Sequence, residues 1–409
     1  MAKLRGNAIV GQSGGPTAVI NQSLVGVIEA ASTMPEITTM LGAQHGVQGI
    51  LRENFIDLFH ESKETLEAVA DTPSAALGSV RKKPTQDECL QMFEIMKKND
   101  VRYFFYIGGN DSAETAHIVN TMAKEARYEL RCFHVPKTID NDLRVTDHCP
   151  GYGSAAKFVS SAFLGDNLDN RALPGIKINV IMGRHAGFLT AASALAKTYD
   201  DDGPHLIYVP ERPLTRRQFT DDVADVYNRY GRCIIAVSEG IIDSESEDGK
   251  TFTEVIMSEV QHIEKDTHGN VQLSGSGALG DWLANLLKNT LDSKLRVRAD
   301  TFGYLQRSFP GCVSEIDALE ARMCGRKAVE FATTKDIDGS VVLRRTAQES
   351  VYQVDIDYTE LANVARETRV LPDEYINATG NGITPDFIDY ARPLVGLLPT
   401  AGYFEGMRQ

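Results

Sequence analysis

Val101-Arg102-Tyr103-Phe104-Phe105-Tyr106-Ile107-Gly108-Gly109-Asn110-Asp111-Ser112 opens on a run of apolar and aromatic residues and closes on glycines, an amide and a carboxylate. A second stretch, Cys132-Phe133-His134-Val135-Pro136-Lys137-Thr138-Ile139-Asp140-Asn141-Asp142, repeats the design. Each reads as a buried strand that delivers polar groups to a cleft at its carboxyl end, the edge at which open parallel sheets bind ligands. Carboxylates there, beside a lysine and two glycines, suit a magnesium-bound polyphosphate and a hydroxyl that must lose a proton. Phosphoryl transfer is the chemistry this pattern favours.

Working outward, strand-like and helix-like segments alternate, which is the signature of a parallel sheet with crossover helices. Strands are expected at 8–10, 103–107, 132–135, 176–181, 206–209 and 233–237, and helices at 18–31, 86–98, 112–126, 154–164, 188–197 and 215–229. A first domain ends near Pro150-Gly151, where turn residues cluster, and 243–250 reads as an acidic surface loop. The C-terminal stretch carries turn signals at Asn381-Gly382 and Arg392-Pro393, and no order of elements follows from it.

The chain has 409 residues, enough for two domains of ~100–200 residues each. Nothing approaches the ~20 consecutive apolar residues of a membrane span. Met1 to Gly6 leads straight into a strand-like Asn7 to Val10, so no signal peptide is expected. The six cysteines form no Cys-x-x-Cys pair, which fits reduced thiols in a cytoplasmic protein. A net charge of −14 argues against nucleic acid as a partner, since phosphate backbones demand basic surfaces. Small anionic substrates need only a local cluster of cations. Arg81-Lys82-Lys83 and Arg296/Arg298 could supply one, although a charge run is more commonly a solvated loop.

Each motif also has a plain structural reading. Gly11 to Thr17 is a glycine-rich loop between a strand and a helix, able to bring backbone N–H groups to a phosphate, or simply a turn. Asn110 and Asp111 are oxygen donors of the kind Mg²⁺ accepts, whereas capping of the next helix would use only one of them. An Asx-turn would explain Asp140 and Asn141 but would leave Lys137 and Asp142 without a role. Arg184, in Met182-Gly183-Arg184-His185-Ala186-Gly187, sits where a strand meets a helix, well placed for a phosphoryl group. No second histidine lies at ligand spacing from His185, which reads as a structural imidazole; Asp200-Asp201-Asp202 reads as a solvated turn.

Taken together, Ser13-Gly14-Gly15, Leu77-Gly78-Ser79-Val80-Arg81, Gly108 to Ser112, Pro136 to Asp142, Met182-Gly183-Arg184, Ser238-Glu239-Gly240 and Tyr304-Leu305-Gln306-Arg307 resemble the phosphofructokinase family, in the family's order. Two positions resemble its pyrophosphate-dependent branch. ATP-using relatives have Gly-Gly-Asp-Gly-Ser and Pro-Gly-Thr-Ile-Asp-Asn-Asp, where this chain has Asp111 and Lys137 in place of glycines. A carboxylate at 111 would repel a nucleotide's α-phosphate, and an ammonium at 137 would favour a small, highly charged donor.

The resemblance implies an α/β fold of two doubly wound, Rossmann-like parallel-sheet domains with the active site in the cleft between them. Residues 1–151 with 306–360 would take the phosphoryl donor, and 152–305 with 361–409 fructose 6-phosphate. Asp140 would be the base on the fructose 1-hydroxyl, with Lys137, Arg184 and Asp111 completing the catalytic set. Gly15, Arg81, Gly109 and Lys137 would meet pyrophosphate. Thr138, Ile139, Asp140, Asp142, Met182, Gly183, Arg184, Glu239, Tyr304 and Arg307 would hold the sugar phosphate, with Arg298 supplied by a neighbouring subunit of a homodimer or homotetramer. The cofactor implied is Mg²⁺, at Asn110 and Asp111.

There are departures from the family's pattern. Asn110 stands at the usual metal aspartate, Tyr304 at a common histidine, and Gly175 at a second partner-subunit arginine, for which Lys177 is the nearest substitute. The rival readings are an ATP-dependent enzyme and a non-catalytic, regulatory or sugar-phosphate-binding homologue.

Overall fold

A computed structural model describes residues 4–246, 248–259, 277–346, 352–365 and 368–404. In chain order the strands are β1 (Gly6–Gln12), β2 (Ile37–Ala43), β3 (Phe55–Asp57), β4 (Val101–Gly108), β5 (Arg131–Pro136), β6 (Ile176–Ile181), β7 (Leu206–Tyr208), β8 (Cys233–Ser238), β9 (Val297–Thr301), β10 (Gly339–Arg345) and β11 (Val354–Thr359). The chain divides into two compact units, Met1–Ser154 with Arg307–Arg369 and Ala155–Gln306 with Val370–Gln409.

The first unit holds a seven-stranded sheet in the order β11-β10-β5-β4-β1-β2-β3. Its centre is parallel, and its two edges are antiparallel: β3 folds back on β2, and β10 and β11 form a hairpin. Along β4 the aromatic run splits by parity. Tyr103, Phe105 and Ile107 enter one core, packed with Val10, Leu24, Val27, Phe133 and Val341. Phe104 and Tyr106 enter the other, with Ile9, Met92, Phe93, Val119 and Cys132. Both faces are covered, which is why the strand reads as continuously apolar.

The helices Ile20–Ser32 and Glu315–Glu330 cross at two glycines. A Cβ on Gly26 would stand 2.1 Å from the Arg322 carbonyl oxygen, and one on Gly325 2.1 Å from that of Ser23. Neither position tolerates a side chain. The helix Gln86–Lys98 starts on a capping box: the Glu88 N–H donates to Thr85 Oγ1, and the Thr85 N–H to the Glu88 carboxylate.

The second unit holds a four-stranded parallel sheet, β7-β8-β6-β9. Ile178, Val180, Tyr208, Ile235 and Val237 pack there with Phe219, Leu279, Leu283 and Leu287. The helix Arg216–Tyr230 begins on the Thr215 hydroxyl and ends on Gly231 in the left-handed region, φ 68°.

The structure revises three expectations. Segment 361–369 belongs with the first unit, because Leu361 and Val364 are buried in its cores. Asp202 is not solvated: it is 1% exposed and accepts from Asn167, Arg171 and the Thr198 and Tyr199 amides, which hold its carboxyl below the usual range despite burial. The loop 243–250, whose position 247 lies outside the described residues, is anchored by a buried Asp243 that pairs with Arg216. No disulfide joins the cysteines. Among the described residues no helix is long and apolar enough to cross a membrane.

Candidate active site

Strand order reverses in the first sheet between β1 and β4: the chain steps from β1 to β2 on one side and from β4 to β5 on the other. The loops leaving such a switch point border the ligand crevice of doubly wound folds. Here they are 13–19 after β1 and the Gly109 turn after β4. The first is held open rather than wound into helix, which begins only at Ile20. Gly14 takes φ 77° and donates its N–H to the Val80 carbonyl, while the Ser79 hydroxyl donates to the Gly14 carbonyl at 2.5 Å.

Lys137 lies in the same place. It is 2% exposed, and its Nζ donates to the Gly15 carbonyl at 2.6 Å. Arg307 lies against the same glycine, where a Cβ would come within 3.1 Å of the guanidinium carbon. Burial, reinforced by the charges of Arg307 and Arg81, pushes the Lys137 ammonium from 10.5 down to about 7, against the pull of Asp140 and Asp142. Three cations, Lys137, Arg307 and Arg81, thus act on one another beside the Gly14–Gly15 turn.

The helix Asn110–Glu125 starts from Gly109 with no side-chain cap. Asn110 and Asp111 are therefore not used as caps. Asn110 donates through Nδ2 to Asp142 Oδ2 at 2.9 Å, and its buried Oδ1 has no hydrogen-bond partner. Asp111, in the first turn where the helix dipole favours a carboxylate, is exposed and paired with Lys83 at 3.0 Å. Of the basic run, Lys82 pairs with Glu88 and Lys83 with Asp111 and Glu114, while Arg81 is exposed and bears on Lys137.

After β5, the Lys137 N–H donates to the Gly108 carbonyl and the Thr138 N–H to that of Pro150. Thr138 Oγ1 accepts from the Asp140 N–H at 3.1 Å, and Ile139 is buried. Asn141, at φ 59°, accepts the Cys149 N–H on its side chain and is structural. Burial and the neighbouring Asp140 push the Asp142 carboxyl up to about 7.

In the second unit the loop 182–187 leaves β6. Gly183 takes φ 140° and gives its carbonyl to the Ser238 hydroxyl at 2.6 Å. Gly240 backs onto Arg184, where a Cβ would stand 2.0 Å from the carbonyl oxygen. The Glu239 N–H donates to Ile181, so β6 and β8 end side by side, with Glu239 buried. Met182 is buried, and its N–H meets Gln306 Oε1 at 3.4 Å. Arg184 and the exposed His185 line a cavity of about 430 Å³ with Glu211, Gly240, Thr251 and Glu254.

Tyr304 and Arg298 are exposed. Arg298 stands opposite Lys177 in the β6–β9 register, but Lys177 is engaged by Asp300 and Asp166 and is a poor substitute for a missing arginine. Gly175 has no room for one, since a Cβ would lie 2.8 Å from the Arg296 carbonyl oxygen.

Three supporting residues escaped the sequence reading. His134 is buried, and burial pushes its imidazole down to about 4. It is thus neutral, donating from Nε2 to the Gly108 carbonyl at 2.8 Å and accepting from Ser340 at 2.8 Å. Glu211 Oε1 takes the N–H groups of Gly187 and Leu371. Arg369 binds the carbonyls of the 141–147 loop. Glu211 follows a strand as the recognised motifs do, and that placement could have flagged it.

Residues 7–332 match the family model described as "Phosphofructokinase". The pyrophosphate–fructose 6-phosphate 1-phosphotransferase of Rhodospirillum rubrum is 53% identical over 392 residues, 96% of this chain and 95% of that one. That of Xanthomonas campestris pv. campestris is 37% identical over 412 residues, 98% and 94% of the two chains. Among solved structures, the pyrophosphate-dependent phosphofructokinase of Nitrosospira multiformis aligns with a TM-score of 0.83 at 32% identity, covering 98% of this chain and 95% of that one.

Proposed function

This chain belongs to the phosphofructokinase family, and from that premise we propose that it moves a phosphoryl group from pyrophosphate to the 1-hydroxyl of fructose 6-phosphate. The products are fructose 1,6-bisphosphate and phosphate, and the reaction runs in both directions, serving sugar breakdown and synthesis. The observation that carries the choice of donor is Lys137, a buried ammonium hydrogen-bonded to the glycine loop at the strand switch. ATP-using relatives have no side chain at that position, and Asp111 opposes a nucleotide's α-phosphate.

In this reading Gly15, Gly109, Arg81 and Lys137 receive pyrophosphate, whose charge restores the proton that burial loosens on Lys137. Arg307, lying against Gly15, faces the donor as well as the sugar. Asp140 takes the proton of the 1-hydroxyl as the new O–P bond forms; a loose transition state needs that proton late, so a weak base suffices. Thr138, Ile139 and Asp142 position the base and the sugar. Arg184 neutralises the phosphoryl group in flight. Met182, Gly183, Glu239 and Tyr304 hold fructose 6-phosphate, with Arg298 of a neighbouring copy reaching its 6-phosphate in a homodimer or homotetramer.

Mg²⁺, when bound, shields the diphosphate oxygens from one another. The donor set fits it: Mg²⁺ takes few protein ligands beside the substrate's phosphates, and Asn110 Oδ1, which has no hydrogen-bond partner, stands with Asp111 as the oxygens that would hold it. Cytoplasmic residence agrees with six cysteines that form no disulfide.

The test is donor choice: bisphosphate formation measured with Mg²⁺ and either pyrophosphate or ATP. Product with pyrophosphate is expected, and product with ATP alone would end the proposal. In the double variant Asp111→Gly, Lys137→Gly, pyrophosphate turnover should fall and ATP gain entry. Unchanged pyrophosphate turnover would contradict the roles given to these two residues.

A further inference from the structure

Resting on the reading of Asp140 as the base, we propose that Arg369 is its positioning residue: its guanidinium and its backbone N–H hold the carbonyls of Asn141 and Asp142, the two residues that follow the base. The loop after β5 is held partly from within, by the Cys149 N–H on Asn141 Oδ1 and the Thr146 hydroxyl on the His148 carbonyl, and partly from outside. Asn141 and Val145 both occupy the left-handed region, at φ 59° and 68°, and the carbonyls of Asn141, Thr146 and Asp147 are bonded by a side chain from outside the loop. Arg369 collects them. Its Nη2 and Nε donate to the Asn141 carbonyl at 2.7 and 3.2 Å, and its Nη1 to those of Thr146 at 2.9 Å and Asp147 at 2.5 Å. Its own backbone N–H donates to the Asp142 carbonyl at 2.7 Å, and Thr368 bridges to Leu143.

The far end of the loop is anchored separately. Asp147 Oδ1 meets His148 Nδ1 at 2.8 Å, and His148 Nε2 meets Glu320 Oε2 at 2.6 Å, with His148 buried. Arg369 therefore ties the start of the loop, next to the base, to an end that is already fixed. Only a planar fork with five N–H donors can span both sets of carbonyls; a lysine ammonium is a single point. Displacing a reacting group by ~1 Å costs ~10²-fold in rate, and that is the effect expected from losing the fork.

The experiment compares the parent with Arg369→Met and Arg369→Lys. In Arg369→Met, kcat should fall ~10²-fold while KM for pyrophosphate stays within about threefold, since the guanidinium bonds go to the carbonyls of Asn141, Thr146 and Asp147. Arg369→Lys should fall between the two. Added methylguanidine should raise kcat of Arg369→Gly and leave the parent unchanged.

Hydrogen exchange supplies a readout independent of substrate. The Cys149 amide, bound to Asn141 Oδ1, and the Asp147 amide, bound to the Leu343 carbonyl, should exchange faster in Arg369→Met, with β1 and β4 unaffected. Parental kcat in folded Arg369→Met would overturn the proposal. So would exchange at 147–149 that matches the parent. If Arg369→Met does not fold, methylguanidine rescue and the lysine variant decide: no rescue, with Arg369→Lys at full kcat, overturns it. If the parent proves inactive with fructose 6-phosphate and pyrophosphate, the reading of the base fails, while the exchange data still judge the clamp.

Discussion

Lys137→Met should make the ligand-free protein more stable and its chemistry worse. The side chain is 2% exposed, and a hydrogen bond to the Gly15 carbonyl offsets part of the loss of water. Its ammonium is pushed from 10.5 to about 7. At ~1.36 kcal/mol per factor of ten in proton affinity, holding the charge costs ~5 kcal/mol. Methionine has a similar shape and no such cost, but it leaves the Gly15 carbonyl without its donor, a loss of ~1–3 kcal/mol. The net expectation at pH 7 is a gain of ~2–4 kcal/mol.

The pH dependence has a definite sign. Between about 7 and 10.5 the unfolded lysine binds a proton that the folded one has released. Stability of the parent must therefore rise with pH across that window. The variant should lack this component, so the difference between the two proteins should shrink from pH 7 to pH 10. Urea unfolding at both pH values, followed by hydrogen exchange in β1 and β4, reads this directly. Pyrophosphate at 100 times its Kd should add ~2.7 kcal/mol to the parent and little to the variant. Pyrophosphate-dependent turnover should drop by ~10²–10³-fold, the usual loss for one charge-stabilising donor. A variant less stable than its parent at pH 7, with a parent insensitive to pH from 7 to 10, would refute the argument from burial. Retained turnover would refute the catalytic role.

Two further outcomes test other parts of the site. Asp140→Asn should lose ~10²–10⁴-fold in kcat with pyrophosphate binding unchanged; full turnover in steady-state assays would refute the role of Asp140 as the base. Gly240→Ala puts a methyl 2.0 Å from the Arg184 carbonyl oxygen and should cost ~1–3 kcal/mol while raising KM for fructose 6-phosphate. Its control is Gly165→Ala in the helix Tyr152–Ala172, where a Cβ meets nothing within 4 Å, and a gain of ~0.5–1 kcal/mol in thermal unfolding is expected.

The central strands were legible because burial on both faces writes an unbroken apolar run, as in β4. The strand ends then exposed Asn110, Asp111, Lys137 and Asp140. Strands β2 and β9 were not read, since Thr38 and Thr39 interrupt the first and the second is largely uncovered. β10 could not be ordered: its parallel partner β5 lies some two hundred residues earlier, with Gly339 opposite Phe133. Arg369 was invisible for a different reason. Its partners are main-chain carbonyls, one of them 228 residues away, and a carbonyl carries no signature in the sequence.

The glycine crossing of helices Ile20–Ser32 and Glu315–Glu330 has a consequence for biosynthesis. Nearly three hundred residues separate the two, so at ~5–20 residues per second the ribosome needs ~15–60 s to deliver the second after the first. Throughout that interval Leu24, Val27 and Ile28 lack their final cover. A nascent chain arrested before residue 315 should therefore be a strong client of holdase chaperones, and release should coincide with emergence of the later helix.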